Sequence, residues 1–436
     1  MSGAPHADTI YALSSGHGRA GVAVIRVSGP HAAAALNQLT GKAVPAPRKA
    51  SLRQFRTAAG QVIDDGLALW FPSPFSFTGE DVAELHVHGG RAVVEGMFAA
   101  LRQIEGFRPA EAGEFTRRAV ENGKFDLTQA EALADLINAE TEAQRQQALR
   151  QYGGGLSHLY EGWRATLVHA AAWAEAAIDF ADEELPEDVI TRARGQAADI
   201  LREISKHLDD ERRGEILRDG FHLTVLGPPN SGKSSLVNAL ANRDVAIVSE
   251  LAGTTRDVLE VHLDLGGYPV VIADTAGLRE TSDLVETEGV RRALQRAERA
   301  DAVLLLLDSS VPPPPQLMQI EPSLIAWNKS DVAPPPVNEL AISVRTGQGM
   351  QVLLQRLEQL VRDRLERRES PSLTRERHRT ALEQVRVILA RASGTSKPDL
   401  LAEELRAALR CLGRITGRVD LEALLDVIFR DFCIGK

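Results

Sequence analysis

The sequence predicts a multidomain α/β protein: a doubly wound, mostly parallel sheet domain inserted into an all-α helical domain, with an α+β domain in front of both. Three observations carry this. Residues 219–369 alternate strand-like apolar runs with helical patterns, the order that builds a parallel sheet covered by helices. From Leu127 to about Arg218 the Gly and Pro punctuation nearly disappears while apolar residues recur at helical spacing, and this texture resumes after Pro371 and runs to Phe432. Residues 1–118 instead carry short apolar runs separated by Gly, Pro and Ser. The expected domains are therefore 1–118, then 119–218 with 370–436 as one discontinuous helical domain, and 219–369 as the insertion.

In chain order, Gly21 to Val27, Gly66 to Phe71 and Val82 to Val87 read as strands. Leu133, Leu136 and Ile137, then Leu201, Ile204 and Leu208, mark helices, with Gly153-Gly154-Gly155 and Pro186 dividing that region into at least three. Phe221 to Leu226 reads as a strand followed by a helix from Lys233 to Ala241. Val270 to Ala273, Ala302 to Leu307 and Ser323 to Trp327 are further strands, and Pro312 to Pro315 and Pro334 to Pro336 mark loops.

Composition bounds the function. A chain of 436 residues with 44% hydrophobic content can bury the cores of about two to four domains. Two cysteines, Cys411 and Cys433, cannot form a disulfide framework, and the first twenty residues lack an apolar h-region, so a cytoplasmic protein is expected. The run Ala302 to Leu307, bracketed by Asp301 and Asp308, is too short to span a bilayer, and no membrane partner is expected. A formal charge of −10 argues against a globally basic nucleic-acid binder. Residues 362–379 hold seven arginines against four acids, a local basic face or a solvated mixed-charge helix.

The chemistry is concentrated in the insertion. Gly227-Pro228-Pro229-Asn230-Ser231-Gly232-Lys233-Ser234 matches the phosphate-loop pattern G-x-x-x-x-G-K-[ST] between a strand and a helix. Small residues let backbone N–H groups wrap a phosphate, Lys233 supplies a point charge to the β/γ oxygens, and the Ser234 hydroxyl can ligate Mg²⁺. Asp274-Thr275-Ala276-Gly277 lies 41 residues after Lys233, at the end of an apolar run, where Asp274 can face Mg²⁺ through a water and Gly277 can donate its N–H to a γ-phosphate. Asn328-Lys329-Ser330-Asp331 is the base-reading element N-K-x-D. The Asp331 carboxylate can accept from the guanine ring N–H and exocyclic amine together, which adenine does not offer, so GTP is the expected substrate. Leu278 stands where Ras-like proteins place a water-orienting Gln, so catalysis needs another group, with Arg279, Glu280, Asp283, Glu286 and Glu288 the polar candidates.

Beyond these motifs the chain resembles the tRNA modification GTPase family called MnmE or TrmE, over essentially its full length. The resemblance is carried by Gly227 to Ser235, by Ile247 to Asp257 with its Gly253-Thr254-Thr255-Arg256-Asp257, by Asp274 to Glu280 and by the terminal Phe432-Cys433-Ile434-Gly435-Lys436. Arg26-Val27-Ser28-Gly29, Phe77-Thr78-Gly79-Glu80-Asp81 and Ala177-Ile178-Asp179-Phe180 extend it outside the insertion. Pro228 stands where the family commonly has Arg, and Val344 where it commonly has Ala in a segment supporting the guanine from the backbone.

The resemblance implies a potassium-activated GTPase that works as a homodimer. Asn230, Ser249, Leu251 and Thr254 would hold K⁺, Ser234 and Thr255 would ligate Mg²⁺, and Glu286 would orient the water, with Lys233 and Asn230 completing the catalytic set. Potassium beside the phosphates would do the work of an arginine finger. The GTP-binding set it implies is Asn230, Ser231, Gly232, Lys233, Ser234 and Ser235; Ser249, Glu250, Leu251, Ala252, Gly253, Thr254 and Thr255; Asp274, Thr275, Ala276 and Gly277; then Asn328, Lys329 and Asp331 with Ser343, Val344 and Arg345.

In the first domain Arg26, Glu84, Lys124 and the terminal Lys436 match tetrahydrofolate-contacting positions, for a methylene- or formyl-substituted folate. A carboxylate such as Glu84 can read the amide–amidine edge of a pterin, and Arg or Lys suits the glutamyl tail. The resemblance further implies an FAD-dependent partner, MnmG or GidA, a tRNA substrate, and an aminomethyl-type group placed on carbon 5 of the wobble uridine. Cys433 would matter for that modification, by covalent chemistry or by lining the pocket. The competing readings are a ribosome-assembly regulatory GTPase without modification chemistry and a folate-dependent methyltransferase with an accessory nucleotide domain. His86 and His88 read as a polar strand end, and Cys411 as core.

Overall fold

The structure, a computed structural model, describes residues 7–16, 18–179, 188–243, 245–247, 260–273, 300–315, 317, 321–365, 372–419, 425, 428–429, 432 and 435. The chain forms two compact units, residues 1–134 with 412–436, and residues 135–411.

The first unit contains β1 (Thr9–Leu13), β2 (Ala20–Ser28), α1 (Ala32–Thr40), β3 (Ser51–Arg56), β4 (Val62–Phe71), β5 (Val82–Gly89), α2 (Arg91–Arg102), β6 (Phe107–Pro109), α3 (Glu114–Glu121) and the start of α4 (Leu127–Asn138). Its six strands run in the order β3-β4-β5-β2-β1-β6, antiparallel except for the β1/β6 pair. Alternation places Ala23, Ile25 and Val27 of β2 on one face, where they pack with Leu36 and Leu39 of α1 and Met97 and Leu101 of α2. Each fully buried Val, Ile, Leu or Met side chain among these contributes about 1.5–3 kcal/mol. A second cluster joins Val120, Leu127 and Ala130 to Leu425 and Phe429 near the C-terminus. Gly113 has φ +67°, and a Cβ there would lie 2.8 Å from the Phe429 ring, so the close approach requires glycine.

The second unit contains α5 (Glu142–Tyr152), α6 (Gly155–Asp179), α7 (Val189–Leu208), α8 (Arg213–Asp219), β7 (Phe221–Leu226), α9 (Lys233–Ala241), β8 (Glu260–Leu265), β9 (Tyr268–Ala273), β10 (Ala302–Asp308), β11 (Leu324–Asn328), α10 (Met350–Leu365), α11 (Glu376–Gly394) and α12 (Pro398–Thr416). Thr141 caps α5 through a reciprocal capping box with Gln144. The Gly153–Gly155 break separates α5 from α6, as expected, whereas Pro186 lies outside the described residues. Along α7, Ala193, Ala197, Ile200, Ile204 and Leu208 form a buried stripe packed against α6 and α11. In α4 the helical spacing is right but Ile137 is exposed.

The five-stranded sheet has the order β11-β10-β7-β9-β8, parallel except for β8/β9. Every residue of β10 is buried, the expected fate of an uninterrupted aliphatic run. Leu304 and Leu306 face a core shared with α9 and α10, and Val303, Leu305 and Leu307 face the other side with Trp327. This is the α/β class the sequence predicts, with the carboxyl ends of β7, β10 and β11 side by side.

Candidate functional site

The phosphate loop connects β7 to α9 with the bounds that the sequence indicates. Asn230 sits at φ +60° and Gly232 at φ +96°. A Cβ on Gly232 would lie 2.3 Å from Asn328 Nδ2, and one on Gly227 would lie 2.1 Å from the Leu306 carbonyl. Glycine is therefore required at both places by packing, not merely by flexibility. The Lys233 ammonium donates to the carbonyls of Gly227 at 3.0 Å and Pro228 at 2.8 Å, within the loop itself. An incoming phosphate competes for that same donor. Ser231 Oγ is buried and has no hydrogen-bond partner among the described residues. Ser234 lies in the first turn of α9, half-buried, and Ser235 is exposed. A helix N-terminus preceded by a wrapped loop favours an anion.

The base-reading segment follows β11 directly. Asn328, buried, donates Nδ2–H to the Ser231 carbonyl at 2.8 Å, and its Oδ1 accepts from the Val344 N–H at 3.1 Å. One side-chain amide thus joins the phosphate loop to the Ser343-Val344-Arg345 loop. Asp331 Oδ1 accepts from Ser343 Oγ at 2.7 Å, and Oδ2 pairs with Arg345 at 2.8 Å. The Ser343 hydrogen bond, together with Arg345, holds the Asp331 carboxyl below the usual carboxylate range. Ser343 is itself fully buried and its Oγ accepts from the Thr346 N–H at 3.2 Å. The structure therefore brings together Asn230 to Ser235, Asn328, Lys329, Asp331, Ser343, Val344 and Arg345. Ser249, Glu250, Leu251, Ala252, Gly253, Thr254, Thr255, Asp274, Thr275, Ala276, Gly277 and Glu286 lie outside the described residues.

The described donors fit a metal-bound nucleotide: a half-buried serine hydroxyl at the helix N-terminus suits Mg²⁺, and an exposed asparagine on the loop suits a monovalent cation. Among the described residues no cluster of three His, Cys, Asp or Glu could hold a metal ion by itself.

In the first unit Arg26 of β2 lies opposite Glu84 of β5 in the sheet register, and its guanidinium donates twice to Glu84 Oε1, at 3.0 and 3.2 Å. Phe77 lies 5.1 Å from Arg26 Cζ by its ring centroid, and Phe115 lies 5.8 Å away, so the cation is flanked by aromatic surface. Lys124 donates to the Pro74 carbonyl at 2.8 Å, on the loop that carries Phe77. His86 approaches Glu84 at 3.4 Å within β5, and His88 of β5 pairs with Asp64 of β4 at 2.8 Å, both polar contacts. Cys433 and Lys436 lie outside the described residues, although Gly435 does not: its carbonyl accepts from Ser14 Oγ at 2.9 Å, just past β1.

Sequence reasoning did not find the buried cation beneath this site. Arg118, with no exposed surface, pairs with Asp8 at 2.8 Å, Glu114 at 3.0 Å and Glu80 at 3.2 Å, while Arg108 also reaches Asp8 and Glu114 at 2.5 and 2.6 Å. Burial pushes the Glu114 carboxyl up, but hydrogen bonds from Arg108, the Glu111 N–H and Arg118 outweigh it and leave it below its ordinary value. Only the Arg-rich spacing of α3 hinted at this, and its partners are up to 110 residues distant.

A P-loop on a mostly parallel sheet, joined through one asparagine to an N-K-x-D segment, defines a guanine-nucleotide-binding protein of the GTPase class. The model of the MnmE helical domain matches residues 127–433, and the model of the GTP-binding protein TrmE N-terminus matches residues 9–124. The tRNA modification GTPase MnmE of Paramagnetospirillum magneticum is 53% identical over 98% of this chain and 100% of its own length. That of Parvibaculum lavamentivorans is 56% identical with the same coverage. The mitochondrial 5-taurinomethyluridine-[tRNA] synthase subunit GTPB3 of Danio rerio is 48% identical over 100% of this chain and 94% of its own. The chain belongs to the MnmE family of tRNA modification GTPases.

Proposed function

We propose that this protein is a potassium-activated GTPase that, with the FAD-dependent partner MnmG, installs an aminomethyl-type group on carbon 5 of the wobble uridine of tRNAs, using a tetrahydrofolate one-carbon unit. The observation that carries the nucleotide half is the Asn328 amide, which ties the phosphate-holding loop to the base-reading loop. GTP lies with its phosphates over Asn230 to Ser235 and its base against Asp331 and the Ser343–Arg345 loop. Mg²⁺, held by Ser234 and Thr255, and K⁺, held by Asn230, Ser249, Leu251 and Thr254, would supply positive charge where it is needed in phosphoryl transfer. Glu286 positions the attacking water, and two copies closing on each other complete the cation site. Turnover equal in sodium and potassium at matched ionic strength would refute the cation role.

The folate half is supported by the Arg26–Glu84 pair and its aromatic flanks. Glu84 reads the pterin edge, while Arg26, Lys124 and Lys436 attract the carboxylates of the tail. Residues 1–118 form the folate-binding and dimerisation domain, 119–218 with 370–436 the helical domain, and 219–369 the GTPase domain. GTP hydrolysis moves domains and does not enter the bond-making chemistry, for which Cys433 matters either by covalent chemistry or by lining the pocket. The protein works in the cytoplasm; among the described residues no helix is long and apolar enough to cross a membrane. Digesting tRNA from cells lacking the protein, and weighing the nucleosides, tests the whole reading. Loss of a 5-substituted uridine is expected, and an unchanged nucleoside profile contradicts it.

A further inference from the structure

The geometry points to Asp308 as a positioning residue for the guanine site, acting through Lys329. This rests on the guanine reading above and names a group outside the N-K-x-D segment on which that segment depends.

The parallel register pairs Asp308, the last residue of β10, with Asn328, the last of β11. The two strand ends are tied further by the Ser309 N–H donating to the Asn328 carbonyl at 2.9 Å. Six buried aliphatic residues precede Asp308, so its carboxylate is carried on a strand that cannot shift without opening the core. Ser310 donates twice to Asp308 Oδ1, through N–H at 2.8 Å and Oγ at 2.6 Å. That leaves Oδ2 for the Lys329 ammonium, at 2.5 Å. Lys329 has φ +62°, a left-handed conformation that a lysine adopts only when its surroundings impose it.

The consequence concerns the lysine stem. Asp308 is 8% exposed and Lys329 36% exposed, so a buried carboxylate anchors the ammonium of a side chain that is itself only partly covered. Asp331, two residues on, presents the carboxylate that reads the base edge. An anchored four-carbon stem beside that carboxylate is a fixed apolar ledge for a purine face, whereas an unanchored one must be ordered at each binding event. Burial raises the Asp308 carboxyl, yet the hydrogen bonds from Lys329 and Ser310 outweigh it and keep it below the usual range, so the anchor is ionised wherever the protein is folded near neutrality.

The test is a double-mutant cycle on the full-length protein, reading the dissociation rate of a fluorescent GDP analogue together with kcat and KM for GTP. Asp308→Asn should accelerate GDP release and raise KM by about tenfold while kcat moves less than twofold, the signature of lost ground-state binding. Lys329→Met, which keeps the stem and cannot be anchored, should do the same, and the double variant should be no worse than either single one. Additive effects, or a Lys329→Met variant within twofold of the parent, would overturn the inference. Because Lys329 is partly exposed, its variant reports even where Asp308→Asn fails to fold. Asp331→Asn in parallel tests the guanine reading separately, since it alters which base is preferred, and neither member of the Asp308–Lys329 pair is expected to do so.

Discussion

The two candidate sites are built in opposite ways. In the second unit the groups aimed at the nucleotide come from short contiguous segments, and the structure fixes their relation with a single amide, Asn328, whose two bonds reach Ser231 and Val344. In the first unit Arg26 and Glu84 come from different strands, 58 residues apart, and satisfy each other across the sheet. In the nucleotide site an uncharged amide fixes the two described loops, and Lys233 donates to loop carbonyls with which an incoming phosphate competes. The strand-pair site is already neutralised, and a ligand must be worth more to Arg26 and Glu84 than they are to one another.

The largest expected effect breaks this comparison on the first side. Arg118→Met removes the fully buried cation from among Asp8, Glu80 and Glu114, leaving Asp8 and Glu114 with Arg108 alone and Glu80 without its guanidinium, which costs about 3–5 kcal/mol. Two-step unfolding should follow, with the first unit melting early while GTP binding by the second persists. A single transition at the parent's midpoint would show that the cluster contributes nothing net.

Next in size is a pH effect confined to the helices of the second unit. Burial pushes the His207 imidazole down to about 4, against an ordinary value of 6.5, with Arg379 and His378 adding to the effect and Asp210 opposing it. Because the folded-state pKa is depressed, the unfolded chain takes up the proton first. Stability is therefore full above 6.5 and lost as pH falls from 6.5 towards 4, by roughly 2–4 kcal/mol. His207→Gln should flatten that slope, and an unchanged slope in urea titrations at pH 7 and 5 would place the proton uptake elsewhere.

Asn328→Ala sharpens the second side. It leaves a buried carbonyl at Ser231 and a half-buried N–H at Val344 without their partner, about 2–3 kcal/mol of nucleotide-site organisation, so GTP affinity should fall by roughly a hundredfold. Titration calorimetry measures it. A loss below threefold would mean that the two loops hold their positions independently.

The same contrast explains what the sequence made legible. The phosphate loop, β7 and α9 were readable to the residue, because the chemistry demands a fixed spelling between a strand and a helix. The buried β10 was readable from six aliphatic residues in a row. By contrast β3, Ser-Leu-Arg-Gln-Phe-Arg, buries only Phe55, and the three-residue β6 offers no alternation to detect. Helical spacing identified α4 but not which face it buries, since Ile137 is exposed. The arginines of residues 362–379 read as a basic face or a solvated helix, yet Arg379 is spent internally on Asp210 and Glu215, and Arg375 on Asp135. Pairs set by strand register, such as Arg26 with Glu84 or Asp308 with Lys329, leave no local trace, because nothing within a few residues of either partner records the other.

The central claim, that a carboxylate held by Ser343 and Arg345 reads guanine in a preassembled site, is tested most directly by measuring kcat/KM for GTP and XTP with the parent protein and with Asp331→Asn. The account predicts that the parent prefers GTP and the variant prefers XTP, because the amide now offers a donor where xanthine presents a carbonyl. A variant that weakens both nucleotides equally and keeps its preference for GTP would contradict it.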